Sequence, residues 1–444
     1  MTGAVGQLSV GRRQLAALGL AGLLLLGLTG EGAAQTAATP PTVTPGGDEL
    51  TPRLELMLRT MRIARDWHVN RPAKPELVAG AIQGLLQKID NEAEVYSRAD
   101  LRQLSATPAE DSDRIGLEIR REPPIRRQAS RGYRVVSSRD GSPAALAGLK
   151  AGDLITHIGG QPAGEMSYLS VMRNEFAGAP GSTLSLTLER EGGAGAIEVQ
   201  LTRTPVQAPA VTVTTTGTGL VVIRVAAIET TVAATVEREL AALRNPPAGA
   251  PRGVVLDLRG TAGGSLTEAA ALADTFLDQG VVLTTEARNP RDAASASATR
   301  GDAAAGSPLI VLVDAGTAGP AEVLAAALQD NKRARLVGTK TAGRGAVRSL
   351  RPLGRKGEKG ALRIATSRLL TPAGKPIEGR GVVPDVSLEQ ARADPACRPI
   401  DIIDSAAPGR CMRREISLDT QFERALGLLD EQVAAGTVAT PPRP

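Results

Sequence analysis

Between Val311 and Val347 the chain reads VLVDAGTAGPAEVLAAALQDNKRARLVGTKTAGRGAV. An apolar run, a glycine turn, a helical stretch and a second glycine-rich loop follow one another. Few groups here could do chemistry. Thr317 could act as a nucleophile with Lys340 as its base, because an amine that sheds its proton can activate a hydroxyl. Ser265 follows the turn Gly263-Gly264, but a serine ahead of an apolar helical run is more often its N-cap. Glu322 falls in the first turn after Gly319, where a carboxylate complements the helix dipole. Gly319-Pro320 is a good helix start, since glycine is tolerated at the cap and proline is favoured at the first helical position. His68 and His157 are the only histidines. One follows the first helical stretch and the other sits in the strand Leu154 to Ile158, so a Ser-His-Asp arrangement is not expected. No His, Cys or carboxylate cluster has the short spacing of a metal site, and neither metal nor cofactor is expected.

The elements that must position these residues are built with few aromatics. Of 444 residues, 42% are hydrophobic and 2% aromatic, so the cores must be aliphatic and large enough for two or three domains. The N-terminus reads as an export signal: Arg12 and Arg13, an apolar run from Leu15 to Leu28 that is too short for an ordinary membrane span, and a small-x-small site at Gly32-Ala33-Ala34. That predicts a periplasmic or otherwise exported protein; an uncleaved segment would instead tie it to a membrane. Cys397 and Cys411 are the only cysteines, and export makes a disulfide between them the expectation. The net charge is +5, partly from Arg120, Arg121, Arg126 and Arg127, which read as a solvated cluster. No aromatic interleaving marks a nucleic-acid site.

Apolar spacing of three and four predicts helices over Leu54–Trp67 and Pro75–Ile89. Asp140-Gly-Ser-Pro-Ala-Ala-Leu-Ala-Gly148-Leu149, followed by Lys150-Ala-Gly152-Asp153-Leu-Ile155, predicts a short helix capped by Ser142, a left-handed glycine at 148 and a tight turn into a strand. This string, within Ile115 to Arg203, resembles a PDZ domain. Strands are predicted at Leu184–Arg190, Ile197–Thr202, Thr212–Val225, Gly253–Arg259 and Leu362–Leu370. Helices are predicted at Thr231–Leu243, Leu266–Leu277 and Gln421–Ala434.

The stretch from Val311 to Val347, with its Glu322, its Ala327-Leu-Gln-Asp330 and its Val337-Gly338, resembles the catalytic region of the C-terminal (tail-specific) processing peptidases. These are secreted serine peptidases with a Ser-Lys dyad. The strand Val254-Val-Leu-Asp-Leu-Arg259, the turn Gly263-Gly264, and the later Thr371-Pro-Ala-Gly-Lys-Pro-Ile377 and Gly381-Val-Val-Pro-Asp385 strengthen the resemblance, which runs from about Pro75 to Leu429. It implies an α/β fold: a crotonase/protease-like ββα core with an inserted PDZ domain and N-terminal helices. The expected division is a signal peptide over 1–34, a linker over 35–51, a helical region over 52–112, the PDZ domain over 113–206, the peptidase-like core over 207–395 and a C-terminal segment over 396–444.

At the positions of the family's chemistry this chain departs from the pattern. The nucleophilic serine falls on Gly319, which can form no alkoxide. The lysine base falls on Arg344, and a guanidinium does not give up its proton. The glutamine that orients the lysine falls on Arg348. Pro320 lacks the N–H that would supply part of an oxyanion hole; Gly263 and Gly264 match the other part. The turn before them carries Thr261-Ala262 in place of Asn-Pro, which implies a less rigid turn. What the resemblance leaves intact is peptide binding. The PDZ carboxylate loop would be Ile115-Gly116-Leu117, with the strand through Ile119 receiving a protein C-terminus as an added strand. The expectation is a pseudo-peptidase that binds C-terminal peptides, or an active relative, as scaffold or regulator. The alternatives are a working serine endopeptidase with a non-standard nucleophile, or a structural envelope protein.

Overall fold

The computed structural model describes residues 47–106, 114–123, 130–193, 195–204, 209–216, 219–244, 250–299, 301–355, 358–388 and 419–434. The export signal and both cysteines, Cys397 and Cys411, lie outside them. The chain divides into two compact units, Met1–Pro72 and Ala73–Pro444. The first holds helix α1 (Gly47–Trp67), which starts earlier than its apolar spacing predicts and takes Pro52 into its length. Among the described residues no helix is long and apolar enough to cross a membrane.

The second unit opens with α2 (Lys74–Ile89), β1 (Glu94–Tyr96) and α3 (Arg98–Ala106). Its first large sheet comprises β2 (Leu117–Arg121), β3 (Tyr133–Ser138), β4 (Leu154–Ile158), β5 (Gln161–Pro162), β6 (Thr183–Glu189) and β7 (Ala196–Thr202), with α4 (Pro143–Leu146) and α5 (Tyr168–Ser170) between them. The order is β2-β3-β4-β6-β7, with β5 on β4, so β2 is an edge strand. Local chemistry sets the turns as expected: Ser142 Oγ accepts from Ala145 N at 3.2 Å, Gly148 has φ 78°, and Lys150 N donates to Asp153 Oδ2 across the turn. Ile115, Ile119, Tyr133, Ile155 and Phe176 are fully buried in this core.

The central sheet runs β17 (Val386–Ser387), β14 (Arg335–Gly338), β13 (Leu309–Val313), β10 (Gly253–Asp257), β9 (Leu220–Val225), β8 (Val211–Thr215). All neighbours are parallel except β8 on β9. The single strand predicted over Thr212–Val225 is this hairpin, closed by bonds between Thr216 and Leu220. Every residue of β10 and β13 is buried, as in a parallel sheet covered on both faces. Alternation divides the two cores. Val254, Leu256, Val311 and Val313 pack with α6 (Val232–Leu243), α7 (Leu266–Asp274) and α8 (Pro320–Asp330), whereas Val255, Ile310 and Leu312 pack with α9 (Thr420–Ala434).

The remaining sheet is antiparallel: β1, β16 (Ala361–Leu370), β11 (Val281–Ala287) and β12 (Ser295–Ser297) in that order, with β15 (Ala346–Pro352) also on β16. Alternation is weak in β11, β12 and β15, and the expected elements did not include them.

Phe276 is fully buried in the core beneath the central sheet, one of three phenylalanines in the chain. Its neighbours are short aliphatics that cannot close over a lost ring. Phe276→Ala should therefore cost about 3–5 kcal/mol, read as a lower urea midpoint at unchanged m-value.

Candidate functional site

Gly319 is the N-cap of α8, with φ 61° and ψ −117°. This lies in the half of backbone space that suits glycine. A β-carbon there would meet nothing nearer than the Arg344 carbonyl at 3.9 Å. The position has room for a side chain, and the sequence supplies none. Pro320 follows at the first helical position, and Pro320 through Leu328 are all buried.

The turn is held by Glu322, which is fully buried. One carboxylate oxygen accepts from Gly319 N at 2.9 Å and Arg344 N at 2.7 Å, and the other from Gly343 N at 2.7 Å and from the Thr341 hydroxyl. Burial raises its pKa above the usual carboxylate range, against the pull of those four donors. The expected role, complement to the helix dipole, is thus the smaller part of what it does. It fastens the start of α8 to the loop 341–344.

The Arg344 side chain turns to the PDZ edge strand. One nitrogen pairs with Glu118 Oε1 and donates to the Ile119 carbonyl at 3.3 Å, and the other lies 3.5 Å from Glu92 Oε2. Burial alone would lower its pKa, but Glu118 and Glu92 outweigh it and push the guanidinium further up. Arg348 pairs with Asp90 at 3.0 Å and Glu92 at 3.1 Å. Two arginines and three carboxylates thus form one largely buried network. It joins the segment after α2, the PDZ strand β2 and the start of β15. Burying such charges is tolerable only when each is partnered.

Gly263 and Gly264 have φ 71° and 98°. A β-carbon on Gly264 would lie 2.3 Å from the Ile228 carbonyl, and one on Gly263 would lie 3.4 Å from a Glu118 carboxylate oxygen. The glycine turn, Glu118 and Arg344 therefore come together. Thr261, expected to loosen this turn, is buried and bonded instead: its hydroxyl donates to Val225 O and its carbonyl accepts from Ala318 N at 2.9 Å.

The other candidates take their ordinary roles. The fully buried Thr317 donates its hydroxyl to Leu258 O at 2.8 Å and accepts from Asp314 N at 3.0 Å. Lys340 is exposed. Ser265 caps α7, accepting from Glu268 N. His157 is exposed, with Thr156 as its neighbour at 3.2 Å. In the arginine cluster, Arg121 is not solvated: it is 7% exposed, bonded to Gly164 O, Met166 O and the Tyr133 hydroxyl. Ile115, Leu117 and Ile119 are buried core residues, and Gly116, at φ 68°, would drive a β-carbon into Ser142. Reading the sequence missed Asp90, Glu92 and Glu118. No local pattern in the sequence marks them as partners of Arg344 and Arg348.

The model of peptidase family S41 matches residues 219–388, and a PDZ-domain model matches residues 134–190. A carboxy-terminal-processing protease of Bartonella bacilliformis is 30% identical over 327 residues, 73% of each chain. A chloroplastic C-terminal processing peptidase of Tetradesmus obliquus is 29% identical over 282 residues, 60% of this chain and 58% of that one. A solved photosystem II D1 C-terminal processing protease shares the fold with TM-score 0.62 and 25% identity, over 76% of this chain and 92% of that one. The chain belongs to peptidase family S41, the family of serine-type C-terminal processing peptidases, and carries its PDZ domain.

Burial would raise the Asp90 pKa, but the Arg348 bonds and charge outweigh it and hold it below the usual value. A lowered carboxyl stabilises the fold at neutral pH, and that stability is lost as pH falls through the ordinary carboxylate range towards the lowered value. Asp90→Asn should therefore be less stable than the parent at pH 7, and the gap should narrow on acidification. Thermal melts of both proteins from neutral to acid pH check this.

Proposed function

We propose that this protein is an exported, catalytically silent member of the family that binds protein C-termini and serves as scaffold or regulator for those chains or for an active relative. One observation carries the reading. At the helix start where a nucleophile would stand there is Gly319, and the residue in the base position, Arg344, is committed as a cation to Glu118, Glu92 and the Ile119 carbonyl. A hydrolytic centre needs a group able to take a proton near working pH, and Arg344 is pushed the other way. Thr317, the alternative nucleophile, is buried with its hydroxyl bonded to a main-chain carbonyl.

Peptide binding rests on different atoms. The edge strand β2 offers main-chain groups to an added strand, and a carboxylate would seat at Ile115-Gly116-Leu117. The Ile119 and Arg121 carbonyls on that strand already accept from Arg344 and from Asn91. A peptide must displace these side chains, so its affinity is modest and set partly by them.

Two outcomes are expected. Casein and a disordered C-terminally tagged substrate should remain intact with the purified protein. Joint Gly319→Ser, Pro320→Ala, Arg344→Lys and Arg348→Gln substitution restores the missing groups, and single reversions should do nothing because such groups act as a unit. Turnover by the parent that Thr317→Ala or Ser265→Ala abolishes would refute silence.

In fluorescence anisotropy, a peptide with a free apolar C-terminus should bind at roughly micromolar Kd, and its amide far more weakly. Arg344→Met with Glu118→Gln should tighten that binding several-fold by freeing the Ile119 carbonyl. Equal binding of acid and amide would show that the groove is not used.

A further inference from the structure

Beside the buried charge network lies a cavity of about 920 Å³, and every residue that lines it belongs to the second unit. Arg348 lines it, as does Pro123, two residues past the end of β2. So does Asn91, which donates to the Arg121 carbonyl at 3.4 Å. The cavity therefore opens where β2 ends.

Its lining is cationic. Lys88, Arg288, Arg348, Arg368 and Arg380 stand against three carboxylates, Asp90, Glu286 and Glu378. Those carboxylates are already engaged. Asp90 pairs with Arg348 at 3.0 Å, Glu286 pairs with Arg368 at 2.8 Å, and Glu378 accepts from Gly345 N at 2.6 Å. Among the described residues no ion pair joins Lys88, Arg288 or Arg380 to a carboxylate, and all three are exposed. Three uncompensated cations around one concavity focus a positive potential into it, which favours a ligand carrying several negative charges.

Strand geometry says what would deliver those charges. The Ile119 and Arg121 carbonyls both face the free edge of β2. A peptide whose carboxylate sits at Ile115-Gly116-Leu117, at the start of β2, must run antiparallel to that strand, leading away towards Arg121. At about 3.4 Å per residue, with its last residue beside Leu117, about the fifth from the end lies beside Arg121 and about the seventh beside Pro123. The chain upstream of that point enters the cavity.

We infer that this cavity selects C-terminal tails with an acidic upstream segment: carboxylates about seven to nine residues from the end pair with Lys88, Arg288 and Arg380. The apolar end meanwhile occupies the edge of β2. The inference rests on the peptide-binding reading above and adds the chemistry of the bound chain.

Fluorescence anisotropy with the purified protein tests it. The labelled peptides share one apolar C-terminus and carry a run of Glu, Gln or Lys about seven to nine residues from it. The Glu peptide should bind several-fold more tightly than the Gln peptide, and the Lys peptide more weakly than both. The gap should close at about 0.5 M salt, where exposed charges are screened. Lys88→Gln, Arg288→Gln and Arg380→Gln together should bring the Glu peptide down to the affinity of the Gln peptide, and leave the Gln peptide where it was. Equal affinity of the parent for Glu and Gln peptides would overturn this inference and leave the peptide reading standing, as would a preference that survives the triple substitution. If neither peptide binds, or each binds equally well as its amide, the peptide reading fails and this inference with it.

Discussion

The Glu322 carboxylate is where the architecture of the candidate site converges. Its backbone sits in the first turn of α8, and its two oxygens accept from Gly319, Thr341, Gly343 and Arg344. A buried carboxylate is costly unless its lone pairs are filled, and here four donors fill them. Those donors have little freedom in return. The turn before α8 must bring its amide round to Glu322, and the loop 341–344 must fold back over the helix start. The order of strand β13, helix α8 and strand β14 makes both possible. The position of Arg344, and through it the contact with the PDZ strand, follows from this one side chain. The frame of the candidate site is therefore maintained by a residue whose hydrogen bonds go to three main-chain amides and to Thr341.

The arginines at 344 and 348 change what that frame does. A lysine base serves hydrolysis only when part of its population is neutral. A guanidinium cannot take that role, and its planar fork suits bidentate pairing instead. In this chain the fork reaches Glu118 on the PDZ strand and Glu92 beyond α2, while Arg348 takes Asp90. The result is an electrostatic joint between three parts of the chain. Such a network is weak support for stability, because the desolvation of five charges offsets much of their attraction. Its consequence is specificity of arrangement: the PDZ edge strand lies against the degenerate centre, with the Ile119 carbonyl already engaged. A strand added to that edge would compete with Arg344 for the Ile119 carbonyl.

The sequence by itself determined the family and much of the order of elements, and it puts glycine and arginine where the resemblance places a serine and a lysine. Gly319, Pro320, Arg344 and Arg348 are legible because removing a hydroxyl, an N–H or a titratable amine is a property of residue type, wherever the residue sits. Local signals were equally readable: the Ser142 and Ser265 caps, the left-handed Gly148, and the buried strand at 253–257, each set by neighbours within a few positions. Only the tertiary structure decided what the new arginines do. Asp90, Glu92 and Glu118 are far from Arg344 in sequence, and no periodicity connects them. The same holds for Arg121, which charge pattern places in solvent and packing places against Tyr133 and two carbonyls, and for Thr261, whose tie to Ala318 steadies a turn that had lost its proline. Strands β11, β12 and β15 escaped notice because their buried and exposed side chains alternate weakly, so that pairing of β11 and β15 with β16, and of β12 with β11, makes them strands. Residue type tells which reactions are closed to a chain, while the pairing of its buried charges depends on which distant elements the fold brings within hydrogen-bond reach.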